Sequence, residues 1–168
     1  MKIRGSAWKF GDNVSTDDII PGRFFHLRGN IEELAKHAFE DLRPDFARKV
    51  REGDIIVAGE NFGIGSSREH AVLVLKALGI RAIVAKSFAR IFFRNAINLG
   101  VPAVIADTTK IEEGDALEID LEKGHITNLT KGFIVRFKPL PSLILDIIKE
   151  GGLINYILKH GFPLGGRA

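Results

Sequence analysis

The chain has 168 residues, enough for one domain with a sizeable core, and its 45% apolar and 27% charged content is that of an ordinary globular protein. Cysteine is absent, which excludes disulfides, thiol nucleophiles and any iron–sulfur cluster held by this chain's own side chains. The net charge of +3 comes from basic residues mixed with acids, as in Glu32-Glu33 through Lys36, so a nucleic-acid surface is disfavoured. Met1 to Phe10 lacks an apolar signal region and no apolar run reaches membrane-span length, which predicts a cytoplasmic protein without membrane contact.

Arg4 to Phe10 is β-compatible and ends at the polar turn Gly11-Asp12-Asn13. Val14 to Gly22 reads as a loop closed by Pro21-Gly22, and Phe24 to Asn30 as irregular. Ile31, Leu34, Ala35 and Ala38 share one helical face, Pro44 breaks the pattern, and a short helix over 45–50 follows. Ile55 to Ala58 is a buried strand, then a glycine loop, then helical spacing from Arg68 to Leu78 stopped by Gly79. Ala82 to Ala85 is a second buried strand. Ser87 is placed to cap a helix reaching about Leu99, with Phe88, Ile91, Phe92 and Ile97 inward, and Val101 to Ala106 is a third strand. Strands follow over 116–120, 125–128 and 133–137, then helices over 141–150 and 153–160. The order predicts an α/β fold, one domain over 1–168, with a parallel central sheet flanked by helices and extra short strands.

The densest segment is Gly59 to His70. Gly63 and Gly65 let the backbone approach a ligand, and a helix start beside them offers N–H groups to a carboxylate. Arg68 adds a planar cationic fork. The competing structural reading is that Ser66 and Glu69, at capping-box spacing, merely cap a helix. A dinucleotide site fits poorly, because Arg68 stands where a third glycine belongs and Ala85-Lys86 where a ribose-binding acid belongs. No Gly-Lys-Ser/Thr is present for a phosphate loop. The five histidines have no metal-ligand spacing, so no metal is expected on this chain.

Asn61-Phe62-Gly63-Ile64-Gly65-Ser66-Ser67-Arg68-Glu69-His70 resembles the active-site loop of the swivelling domain in the aconitase superfamily. Ala85 to Gly100 looks like the following stretch of that domain, and Phe10 to Gly22 is similar to its first loop. The resemblance spans about Ala7 to Val104, and the size is similar to the separate small subunits of isopropylmalate isomerases and homoaconitases. It implies a swivelling β/β/α domain acting as a hydro-lyase subunit in a step of leucine biosynthesis. It also implies a large partner subunit carrying a [4Fe–4S] cluster, joined as a heterodimer or heterotetramer. By the same resemblance Ser66 is the catalytic base and Arg68 binds substrate, with Asp17 and Thr16 of the first loop, and Ser67, beside them. Asn95 is a candidate support for the glycine loop, whereas Arg90 and Arg94 read as solvated or core-pairing residues in preference to ones that reach the site. The loop Arg23 to Asn30 is expected to read the substrate's variable group: Leu27 and the phenylalanines suit the isopropyl group of 3-isopropylmalate, whereas Arg28 suits the extra carboxylate of homocitrate or citrate. Citramalate is a further alternative, and a stand-alone anion- or nucleotide-binding regulatory module is the rival from another class.

Overall fold

In the computed structural model, which describes residues 1–162, one seven-stranded sheet organises the chain. The last six residues of the span expected for the domain, 163–168, lie outside the described residues. Strand β1 (Lys2–Lys9) is followed by helix α1 (Thr16–Ile19), a 3-10 turn (Gly22–Leu27), α2 (Ile31–Ala35) and α3 (Phe46–Lys49). Then come β2 (Ile55–Ala58), α4 (His70–Ala77), β3 (Ala82–Ala85), α5 (Arg90–Asn98) and β4 (Ala103–Ile105). The chain continues through β5 (Ala116–Asp120), β6 (His125–Asn128) and β7 (Phe133–Arg136), then α6 (Ser142–Lys149) and α7 (Leu153–His160).

The sheet order is β4-β3-β2-β1-β5-β6-β7. The first four strands are parallel, with Ala7 opposite Ile55, Ile55 opposite Ala82 and Ile83 opposite Ala103. From β1 onward the pairing is antiparallel, Ile3 opposite Ile119 and Ile119 opposite Ile126. All four residues of β2 and of β3 are buried, as continuous apolar runs in a parallel sheet must be when both faces are covered. Alternation splits them between two cores. Trp8, Ile56, Ala58, Ile83 and Ala85 pack with residues of α2, α4 and α5. Ala7, Ile55, Val57, Ala82 and Val84 pack with Leu117, Ile119 and Ile126 of the antiparallel strands and with Leu145 of α6. The antiparallel half thus covers the face of the parallel half that α2, α4 and α5 leave bare.

Three local expectations change. The stretch read as a loop contains α1, capped by Ser15, whose hydroxyl accepts from the N–H of Asp18 while the Asp18 carboxylate accepts from the N–H of Ser15. Of the residues read as irregular, Phe24 to Leu27 belong to the 3-10 turn Gly22–Leu27. Ser87 does not cap α5. Its hydroxyl accepts from Asn61 N–H and donates to Glu60, so the helix starts three residues later at Arg90; Phe92 and Ile97 are buried but Ile91 is half exposed.

Candidate active site

Parallel neighbours bring the loops that follow them to one edge of the sheet, the edge where open α/β folds bind ligands. Here the pairing continues past the strands. Gly59 donates to Gly11, Asn13 to Glu60, Gly63 to Val14 and Thr16 to Ile64, joining the loop after β1 to the loop after β2. Phe62 donates to Ser87 and Ala89 to Phe62, joining the loop after β2 to the loop after β3. Isolated bridges at Ser15–Ile64 and Phe62–Phe88 mark the same seams.

The two loop glycines have positive φ, and each answers to a neighbour inside the fold. A Cβ on Gly63 (φ +86°) would overlap the Phe92 ring, and one on Gly65 (φ +111°) would sit 2.8 Å from Thr16 Oγ1. Gly63 therefore serves packing against α5, and only Gly65 lines the cavity described next.

That cavity, about 140 Å³, is lined by Thr16, Asp17, Ile20, Phe25, Gly65, Ser66 and Arg68. Thr16 is 5% exposed and holds the serine twice. Its Oγ1 accepts from Ser66 N–H at 2.9 Å and lies 3.2 Å from Ser66 Oγ. These contacts overturn the capping reading of Ser66. With its N–H and hydroxyl both turned to Thr16, Ser66 stands outside the helix, α4 starts at His70, and Glu69 is its N-cap without a side-chain cap bond. Ser67 and Arg68 donate their N–H groups to no partner among the described residues. Asp17 Oδ1 accepts from Gly22 N–H at 2.9 Å, tying the first loop to the 3-10 turn. Asn95 of α5 donates to the Ser67 carbonyl at 3.1 Å and supports the loop from behind.

Arg28, Leu27 and Ser67 lie outside this lining. Arg28 is exposed, donates to the Phe25 carbonyl and hangs over the Phe25 ring with Cζ 5.0 Å from its centroid. Leu27 is half-buried and packs toward the helical core. Arg90 and Arg94 are exposed and border a separate groove with Phe88, Phe93 and Ile105. Ile20, which lines the cavity, was missed in the sequence because it reads as core from its composition alone. Phe25 was named only as one of several apolar loop residues. Among the described residues no group of three His, Asp or Glu side chains is placed to hold a metal, and the chain has no thiol, so its donor set does not fit an iron–sulfur cluster.

A serine braced by a buried threonine thus shares one small cavity, at the carboxyl edge of a parallel sheet, with an arginine that has no ion-pair partner among the described residues. Residues 6–107 match the family model of the aconitase C-terminal domain, and the chain belongs to that family. It is 62% identical to 3-isopropylmalate dehydratase small subunit 2 of Archaeoglobus fulgidus over 96% of this chain and 98% of that one. It is 54% identical to the methanogen homoaconitase small subunit of Methanothermobacter thermautotrophicus, over 94% of this chain and 91% of that one. The crystal structure of 3-isopropylmalate dehydratase from Methanocaldococcus jannaschii superimposes with a TM-score of 0.90 at 50% identity, covering 95% of each chain.

Proposed function

We propose that this chain is the small subunit of a two-subunit 3-isopropylmalate dehydratase, that Ser66 is its base, and that Arg68 binds a substrate carboxylate. The observation that carries the assignment of roles is the Ser66–Thr16 pair facing Arg68 across one cavity. Because Thr16 Oγ1 already accepts from Ser66 N–H, its own proton is free to be donated to Ser66 Oγ. That donor stabilises Ser66 in its deprotonated form. Deprotonated Ser66 takes the proton from the carbon next to the carbinol carbon, and the C–H electron pair forms a double bond as the C–O bond breaks and the hydroxyl leaves. Water then adds across that bond in the opposite sense, its hydroxyl to the neighbouring carbon and a proton to the former carbinol carbon. This chain's donor set does not fit an iron–sulfur cluster, so any such group, which would supply Lewis-acid assistance to the departing hydroxyl, would be held by a partner subunit. Ser66 and Arg68 are exposed in the free chain, so a partner must also close the site and exclude water.

Ile20 and Phe25 give the cavity an apolar wall suited to an isopropyl group. Arg28, close by on the Phe25 ring, favours homocitrate as the second reading, in line with the homoaconitase relative. The test is anaerobic turnover of 3-isopropylmalate, homocitrate and citrate by the cognate cluster-bearing subunit with and without this chain. Turnover in the mixture alone, fastest on 3-isopropylmalate, is expected, and Ser66→Ala should abolish it while the complex still assembles. Near-normal turnover by an assembled Ser66→Ala complex would overturn the catalytic role, and preference for homocitrate would move the assignment to the second reading.

A further inference from the structure

Arg68 makes no hydrogen bond and no ion pair among the described residues. Its close partner is the ring of Phe25, with Cζ 3.9 Å from the ring centroid. Phe25 comes from the 3-10 turn, and its ring meets His70, the first residue of α4, edge-on at 5.2 Å with the planes 88° apart. One ring is therefore wedged between Arg68, at the end of the glycine loop, and His70, at the start of α4. Arg28 approaches the same ring, also without an acidic partner among the described residues.

The way a guanidinium is held decides what it can still bind. A carboxylate neighbour grips it through its N–H edge and uses up the donors that a substrate carboxylate needs. An aromatic ring grips it through the flat face, by attraction to the ring's negative quadrupole, and leaves the edge donors free. An aliphatic residue at position 25 would fill space but would not fix the cation. Arg68 has its Cζ over the Phe25 ring and no carboxylate on its N–H donors among the described residues, at the wall of the cavity that Phe25 and Arg68 share.

We propose that Phe25 is the positioning residue for Arg68, an apolar seat that holds the guanidinium plane at the cavity wall with its donor edge open to a substrate carboxylate. The proposal rests on the role given to Arg68 above. It gives the 3-10 turn a second task besides contact with the variable group of the substrate: presenting the cation that anchors the invariant part.

Two readouts test it. In the full-length chain by itself, the Arg68 Nε–Hε resonance should carry a ring-current shift that Phe25→Leu abolishes and Phe25→Tyr keeps. In the assembled complex, Phe25→Leu should raise KM for 3-isopropylmalate roughly three- to thirtyfold with kcat little changed, the range that follows from cation–π strengths and tenfold per 1.4 kcal/mol. Phe25→Tyr should restore the KM, and Phe25→Leu should add little in an Arg68→Ala background. An Arg68 resonance unmoved by Phe25→Leu, or a KM penalty of the same size with and without Arg68, overturns the proposal. The two readings fail separately, because the resonance reports the stack whether or not the complex turns over 3-isopropylmalate.

Discussion

Replacing Thr16 by valine separates a structural tie from a catalytic donor. Valine matches threonine in shape but carries no hydroxyl, so at a site 5% exposed it leaves the packing and deletes both contacts to Ser66, at 2.9 and 3.2 Å. The effect on stability is modest: the cavity side is open, water can reach the released Ser66 N–H, and a neutral hydrogen bond nets about 1 kcal/mol. For a chain of this length that lowers Tm by roughly 2–4 °C. The catalytic effect is larger if the threonine hydroxyl supports a serine oxyanion, since losing one such donor costs about 10²–10³ in kcat. Thr16→Ser, which keeps the hydroxyl, should retain most of the activity. The assay is anaerobic turnover of the assembled complex alongside thermal melting of the free chain. If Thr16→Val melts a few degrees lower yet turns over at nearly the wild-type rate, Thr16 is a fold tie only and the donor argument fails.

Gly63→Ala should cost about 3 kcal/mol, from overlap with Phe92 and a left-handed φ, measured as a drop in denaturant midpoint; a loss under about 1 kcal/mol would mean that α5 moves aside freely. Asp115 gives a pH prediction. Burial works against its charge, but Lys131, the N–H of Glu112 and Asn128 together hold its carboxyl below the usual carboxylate range. Its folded value is depressed, so its contribution is present above the unfolded value near 4 and is lost as pH falls through the folded one. Asp115→Asn should flatten the acid limb of the stability curve below about pH 4, and an unchanged limb would refute the assignment.

The parallel half of the sheet was legible in the sequence because runs such as Ile55 to Ala58 and Ala82 to Ala85 are buried on both faces, a purely local signal. The helices over 70–77 and 153–160 were legible through periodicity, although the first starts later than its spacing suggested. Serines were harder to read. Ser66 and Ser87 both have the spacing of helix caps, and both are instead claimed by residues far away in sequence, Thr16 at the start of α1 and Glu60-Asn61 in the loop after β2. Sequence shows that a serine can cap; it does not show a stronger competitor for the same hydroxyl.

By itself the sequence determined the composition of the site: the Ser-x-Arg segment, the turn glycines and the absence of any thiol ligand. It also fixed the strands whose carboxyl ends carry those residues, because burial and turn chemistry are properties of a few adjacent residues. Only the tertiary structure decided that β1 lies beside β2 and β2 beside β3, and so which loops meet. That order sets Thr16 against Ser66, and the packing of the 3-10 turn brings Phe25 beneath Arg68. Those contacts join residues tens of positions apart, whose meeting depends on strand order and on the packing of whole elements, and no short stretch of sequence encodes either.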